Sequence, residues 1–254
     1  MNTNTLHASH DKTAIDIQKL CKSFGTLKAV NQMDMTVYTG EIFALLGVNG
    51  AGKTTMINML TGRLWPTDGD AFVKGLSIRN QMQKIKPVIS VSPQDTAVAG
   101  KLTVRENLEF IAGIYGYSKA VSRTRADEMI EKFHLQEVAK RRAQTLSGGW
   151  QRRLSIAMAL VSAPEILFLD EPTVALDVLA RHDLWQFIQT LKGQITIILT
   201  THYLEEAEAL ADRIGIMNNG HLKAVGTVSE IIRTAQTDTF ENAFIKLARG
   251  GAQI

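Results

Sequence analysis

The chain has 254 residues, 45% apolar and 21% charged, which is long enough and apolar enough to bury a large core with room for a second subdomain. A formal charge of +3 is too small to argue for nucleic acid or an anionic membrane as partner. The single cysteine, Cys21, excludes an intramolecular disulfide or a multi-thiolate metal site and suits a reducing compartment.

Residues 1–12 are polar and lack the apolar core of a signal peptide, so a flexible N-terminus over 1–13 is expected. No stretch reaches the roughly 18 apolar residues of a membrane span, so any membrane role has to come through a partner. Over residues 15–37 apolar side chains alternate with polar ones, from Ile15 and Ile17 to Met33, Met35 and Val37, the pattern of antiparallel strands with one wet face. The run Ile42-Phe43-Ala44-Leu45-Leu46 is a buried strand, and residues 54–60 carry apolar side chains at helical spacing. Short strands are expected over 70–74 and 88–92, the second ending at Pro93-Gln94. Residues 103–160 read as mostly helical, with a capping box at Thr103-Val104-Arg105-Glu106 and with Ser118 and Ser147 placed to cap. The basic clusters Lys140-Arg141-Arg142 and Arg152-Arg153 read as solvated helix faces. Residues 166–169 form a continuous apolar strand, Asp177 precedes a helix to about Leu191, and 195–199 is another buried strand. Parallel strands joined by helices follow, with ligands at their carboxyl ends. Asn218-Asn219-Gly220 signals a hairpin, Thr227-Val228-Ser229-Glu230 a second capping box, and residues 240–247 a helical tail.

Between the first buried strand and the helix after it stands Gly47-Val48-Asn49-Gly50-Ala51-Gly52-Lys53-Thr54-Thr55, which fits the phosphate-cradling pattern of Gly, four residues, Gly, Lys, then Ser or Thr. The glycines let backbone N–H groups close around a phosphate, and Lys53 sets a cation between the β- and γ-phosphates. Thr54 offers its hydroxyl to Mg²⁺, and the helix N-terminus faces the anion. Asp170 and Glu171 emerge directly from the strand 166–169. Alone, such a pair is weak evidence, more often a strand leaving the core for solvent. With a phosphate loop upstream it divides by task, Asp170 holding Mg²⁺ through its waters and Glu171 polarising the water that attacks the γ-phosphate. Thr200-Thr201-His202 places an imidazole at another strand's carboxyl end.

Leu146-Ser147-Gly148-Gly149-Trp150-Gln151 is similar to the signature of ATP-binding cassette (ABC) ATPases, and the order of the other motifs resembles that family. Gln94 stands at its Q-loop, Leu169-Asp170-Glu171-Pro172-Thr173 at its Walker B segment, Ala175-Leu176-Asp177 at its D-loop and His202 at its switch, while Phe24 sits where the family stacks an aromatic on adenine. The resemblance spans about 15–225 and implies an α/β phosphate-loop core with an antiparallel β subdomain, an ATPase domain over 14–230, an inserted helical subdomain over about 95–162, and a C-terminal helical tail over 231–254. It implies ATP and Mg²⁺ as cofactors, with Gln94 also on the metal. It implies two chains meeting head to tail, so that Ser147, Gly148 and Gly149 of one reach the γ-phosphate held by Gly47, Asn49, Gly50, Ala51, Gly52, Lys53, Thr54 and Thr55 of the other. Three residues depart from the pattern: Trp150 for the usual Gln, Val174 before the D-loop, and Phe24 without the hydroxyl of the commoner Tyr.

Residues 201–214 resemble subunits that pair with separately encoded ABC-2-type permeases, the drug- and polymer-exporting group. That implies a peripheral subunit at the cytoplasmic face of the membrane, partnered by a permease and a second copy of itself, with no nucleic acid. An importer subunit is the alternative within the class, although many carry a larger C-terminal regulatory domain. A soluble ABC ATPase acting on DNA or ribosomes would bring tandem cassettes, long coiled coils or zinc modules. A nucleotide kinase or GTPase would have no use for residues 146–149 and His202.

Overall fold

The computed structural model describes residues 13–249; the N-terminal stretch expected to be flexible lies outside them except for Thr13, as do the last five residues of the tail. The chain forms two compact units, Met1–Lys86 with Leu191–Ile254, and Pro87–Thr190.

The first unit opens with β1 (Thr13–Phe24) and β2 (Leu27–Tyr38), paired antiparallel through the tight turn at Gly25, whose φ is +57°. Ile15, Ile17 and Leu20 bury one face with Val30, Met33 and Val37, while Gln18 stays in solvent on the other, so the alternation read from the sequence is realised. β3 (Ile42–Leu46) is buried at every position and runs into α1 (Lys53–Leu60). β4 (Asp68–Val73) and β5 (Leu76–Ser77) complete a four-stranded sheet in the order β2-β1-β4-β5, and α2 (Met82–Ile85) leads out of the unit.

In the second unit β6 (Ile89–Ser92) and β7 (Ile166–Asp170) pair in parallel. Val88, expected in the strand, lies in a 3-10 turn. Between the strands run α3 (Val104–Ile114), α4 (Lys119–Lys132) and α5 (Gly148–Leu160). The capping box at Thr103 forms, with the hydroxyl accepting from the Glu106 amide and the Glu106 carboxylate accepting from the Thr103 amide. Ser118 caps α4 through the Val121 amide. α5 is buried from Leu154 to Leu160 because its sequence is apolar or small around the whole circumference there. Asp177 accepts from the Ala180 amide and starts α6 (Val178–Thr190).

Back in the first unit, β8 (Thr196–Thr201), α7 (Leu204–Leu210), β9 (Arg213–Asn218) and β10 (His221–Gly226) follow. β3 is flanked in parallel by β8 and β9, so its hydrogen bonds are taken on both edges, and β9 turns back antiparallel into β10. That turn is the expected hairpin, with Asn219 at φ +48° and Gly220 at +77°. The second capping box, Thr227 with Glu230, starts α8 (Val228–Ala235), and α9 (Phe240–Ala248) closes the described chain. Both box glutamates are held below the ordinary carboxylate value by the backbone amides of Thr103 and Thr227. Glu41 runs the other way: burial raises its carboxyl although the Tyr38 amide and Arg213 oppose the shift, Arg213 bonding it at 3.1 Å. Among the described residues no helix is long and apolar enough to cross a membrane.

Candidate functional site

The phosphate loop is shaped by where a Cβ cannot go. A Cβ at Gly47 would lie 2.3 Å from the Met217 carbonyl oxygen, and one at Gly52, whose φ is +107°, would lie 2.2 Å from that of Ala29. Gly50, at φ +82°, has nothing within 4 Å, so the same loop is packed on one side and open on the other. Its frame comes from distant chain: Gly47 donates to Thr201 at 3.2 Å, Gly220 donates to Ala51 at 3.0 Å, and Asn31 donates to Gly220 at 2.9 Å. Lys53 is 4% exposed and folds over the loop, its Nζ donating to the Gly47 carbonyl at 2.7 Å and to that of Val48 at 3.3 Å. α1 starts without a side-chain cap and without an acidic residue in its first turn, which leaves its positive end for an anion.

The register of β3 and β8 pairs Leu46 with Thr201, so the phosphate loop and His202 leave adjacent strands at the same end. His202 packs against Tyr203 with ring centroids 4.1 Å apart, and Tyr203 is fixed by donating its amide to Thr201 Oγ1 at 2.9 Å. Phe24 ends β1 half exposed, with Lys22 Nζ 5.1 Å from its ring centroid. The hairpin partner strand β2 is the one whose Ala29 abuts Gly52, so the aromatic and the cradle adjoin the same hairpin.

In the second unit Ser92 pairs with Leu169, which brings the exits of β6 and β7 together and with them Gln94, Asp170 and Glu171. Gln94 is exposed, whereas Asp170 is 5% and Glu171 8% exposed. Glu171 adopts φ +46°, and Ala175 four residues on adopts +62°, a conformation that costs a side chain about 1–2 kcal/mol. The buried hydroxyl of Thr173 has no hydrogen-bond partner among the described residues.

Two expectations need correcting here. Ser147 occupies the N-cap position of α5 with extended backbone, but its side chain makes no cap hydrogen bond. The residue and both glycines after it lie at or near the surface, so the amides of the first turn are left to other partners. The second concerns the basic clusters. Lys140, Arg141 and Arg142 are solvated but lie in the loop before α5, not on a helix face. Arg152 is buried, 3% exposed, and its guanidinium donates to four carbonyls: Pro172 at 2.8 Å, Asp170 at 2.9 Å, Gln94 at 3.3 Å, and Pro93. Sequence reasoning missed it although a signal existed, since Ser155, Ile156 and Ala159, three, four and seven residues on, all lie on a buried helix face. Arg153 is the partly solvated member, paired with Asp183 at 2.8 Å and lying 5.2 Å from the ring centroid of Trp150.

The residues fit a nucleotide with Mg²⁺. A cradle that closes where a Cβ would clash, an ammonium lying over it and a bare helix N-terminus suit a polyphosphate. Asp170 and Gln94, at the joined exits of β7 and β6, carry oxygen donors of the kind Mg²⁺ takes beside phosphates and water.

The model of the ABC transporter family matches residues 30–174. YbhF of Escherichia coli strain K12, a probable multidrug ABC transporter ATP-binding protein, is 37% identical over 251 residues, 96% of this chain and 43% of that protein. DrrA of Streptomyces peucetius, a daunorubicin/doxorubicin resistance ATP-binding protein, is 41% identical over 219 residues, 86% of this chain and 66% of its own length. The chain thus spans under half of the first relative and about two thirds of the second. Among solved structures, an ATP-binding subunit of an ABC transporter superposes with a TM-score of 0.82 at 27% identity, over 92% of this chain and 99% of that one. A dimeric ATP-binding cassette in a post-hydrolysis state with ADP and Pi gives 0.76 at 25% identity, over 84% and 98%.

Proposed function

The chain belongs to the ABC transporter family, and from that premise we propose that it is the ATP-hydrolysing subunit of an exporter, working as a head-to-tail pair of copies on a separately encoded permease. The observation that carries the ATPase reading is the phosphate loop itself, closed by Gly47 and Gly52 and covered by Lys53. Export over import is supported by the multidrug and drug-resistance names of relatives that align with 86–96% of this chain. A large apolar ridge on α3, Phe110 and Ile114 one turn apart and both more than half exposed, supports a protein partner, for which we take the permease at the cytoplasmic face.

In this reading Gly47, Asn49, Gly50, Ala51, Gly52 and Thr55 present backbone or hydroxyl groups to the phosphates, and Lys53 turns its ammonium from the loop carbonyls to the β- and γ-oxygens. Phe24 offers a stacking face to adenine. Thr54, Asp170 and Gln94 would hold Mg²⁺, which when bound neutralises charge on the β- and γ-phosphates. Glu171 orients and deprotonates the attacking water, and His202 serves as the switch residue beside the phosphates. Ser147, Gly148 and Gly149 of the second copy lend the uncapped end of α5 to the γ-phosphate.

Glu171→Gln keeps the shape of the side chain and removes the base. It is expected to leave ATP affinity within about threefold and to lower turnover by at least about 100-fold, as loss of a general base does. Calorimetry and a phosphate-release assay measure the two. Turnover within about threefold of the parent, under roughly 0.7 kcal/mol of barrier, would remove Glu171 from its role.

A further inference from the structure

We propose that Arg152 is a positioning residue for hydrolysis, fixing the backbone on either side of Glu171 and tying that turn to the start of the Gln94 loop. The inference rests on Glu171 being the group that activates water.

A residue with a side chain stays at φ +46° only where its surroundings over-determine it. At Glu171 the surroundings include one guanidinium. Arg152 donates to the carbonyl of the residue before Glu171, Asp170 at 2.9 Å, and to that of the residue after it, Pro172 at 2.8 Å. Gripping both neighbours fixes the direction in which the Glu171 side chain leaves the chain. The remaining edge of the same planar group donates to the carbonyls of Pro93 and of Gln94, the latter at 3.3 Å. A displacement of the Gln94 loop is therefore passed to the Glu171 turn through a rigid fork, rather than through a flexible side chain. Arg152 sits on α5, the helix that opens with Ser147, Gly148 and Gly149, so three of the motifs singled out in the sequence meet at one buried cation. A lysine could not do the same, because a point ammonium cannot reach acceptors on both sides of Glu171 with fixed geometry.

A purely structural arginine would lower stability and leave the remaining folded molecules with normal turnover. A positioning arginine alters the chemical step in molecules that bind nucleotide normally. The test uses the full chain with Arg152→Gln, Arg152→Lys, Glu171→Gln and the double variant Arg152→Gln/Glu171→Gln. It measures ATP affinity, kcat, KM, and, without nucleotide, hydrogen exchange at the Val174 amide, which donates to Glu171 at 3.3 Å. Arg152→Gln is expected to lower kcat by about 100-fold, the effect of a catalytic group displaced by about an ångström, with ATP affinity and KM within about threefold. Exchange at Val174 should quicken. The double variant should keep the ATP affinity of Glu171→Gln, and Arg152→Lys, which holds part of the grip, should recover part of kcat. Should Arg152→Gln fail to fold, a smaller fall in kcat, still about tenfold or more and at unchanged affinity, is required of Arg152→Lys. A near-normal kcat per nucleotide-binding molecule, or unchanged exchange at Val174, overturns the proposal. So does a loss of affinity in the double variant that matches the loss of activity in the single one. If Glu171→Gln itself turned over normally, the functional reading would fail instead, which keeps the two failures apart.

Discussion

The loop from Gly47 to Gly52 and the turn from Glu171 to Ala175 both need backbone in the left-handed region, and they obtain it by opposite means. In the loop the demand is met by residue type, with glycine at φ +82° and +107°, and at the second of these the packing against Ala29 and Met217 admits nothing larger. In the turn, glutamate and alanine take φ +46° and +62° against their own preference, and at the glutamate hydrogen bonds from Arg152 hold the chain on both sides. The loop is permissive because its work is done by backbone amides, which need no side chain. On the proposed reading the turn cannot use glycine at its first position, because there the Glu171 carboxylate activates the water.

Substitutions that exchange the two devices should separate them. Gly52→Ala is expected to have the largest effect: a Cβ 2.2 Å from a carbonyl oxygen, added to a strained φ, should cost about 3 kcal/mol or more, seen in the denaturation midpoint and in lost nucleotide binding. Gly50→Ala meets open space, so its cost in stability should be only about 1 kcal/mol, from the backbone conformation. Its ATP affinity should fall by more than that figure implies, because the added methyl stands on the side left open for the phosphates. Equal effects of the two alanines would break the distinction between the packed and open sides of the loop. Ala175→Gly is the converse change in the turn and is exposed. Relief of the left-handed conformation outweighs the extra freedom of unfolded glycine, giving about 0.5–1 kcal/mol of added stability. The smallest effect concerns a third device, the capping box. The Glu106 carboxyl lies below its ordinary 4.5 because the Thr103 amide donates to it, so its contribution is present above that value and is lost as pH falls through the folded pKa. Glu106→Gln should flatten that part of the acid limb of the stability curve and leave the neutral plateau lower.

The same contrast explains what was legible in the residues. Gly47, Gly50, Gly52 and Lys53 declare themselves because a backbone conformation and a charge each demand one residue type at one spacing. Capping boxes at Thr103 and Thr227 and the Asn219-Gly220 turn were readable for the same reason, all being agreements between near neighbours in sequence. The burial of Arg152 was readable from the helix face it shares with Ser155, Ile156 and Ala159, but its partners were not, because they are carbonyls 18 to 59 residues away and a carbonyl belongs to every residue type. The position of Ser147 was legible but its hydroxyl bond was not, since a serine before a helix can cap or stay open to solvent with the same backbone. Helix α7, though short, was also missed, its acidic and alanine-rich sequence giving little apolar periodicity until Glu206, Ala207 and Leu210 are seen to be buried.

The pairing of β3 sets a schedule for synthesis of the chain. Ile42–Leu46 is hydrogen-bonded on one edge to β8, which begins at Thr196, and on the other to β9, which ends at Asn218. At about 5–20 residues per second, the ribosome takes roughly 8–30 s to make the 150 or so residues between β3 and its first partner. For that interval five consecutive apolar residues have neither edge covered, and the phosphate loop lacks the Thr201 and Gly220 contacts that frame it. During that interval β3 is an uncovered apolar edge, the condition that favours aggregation, while the best-marked motif of the chain is already made and still unable to close.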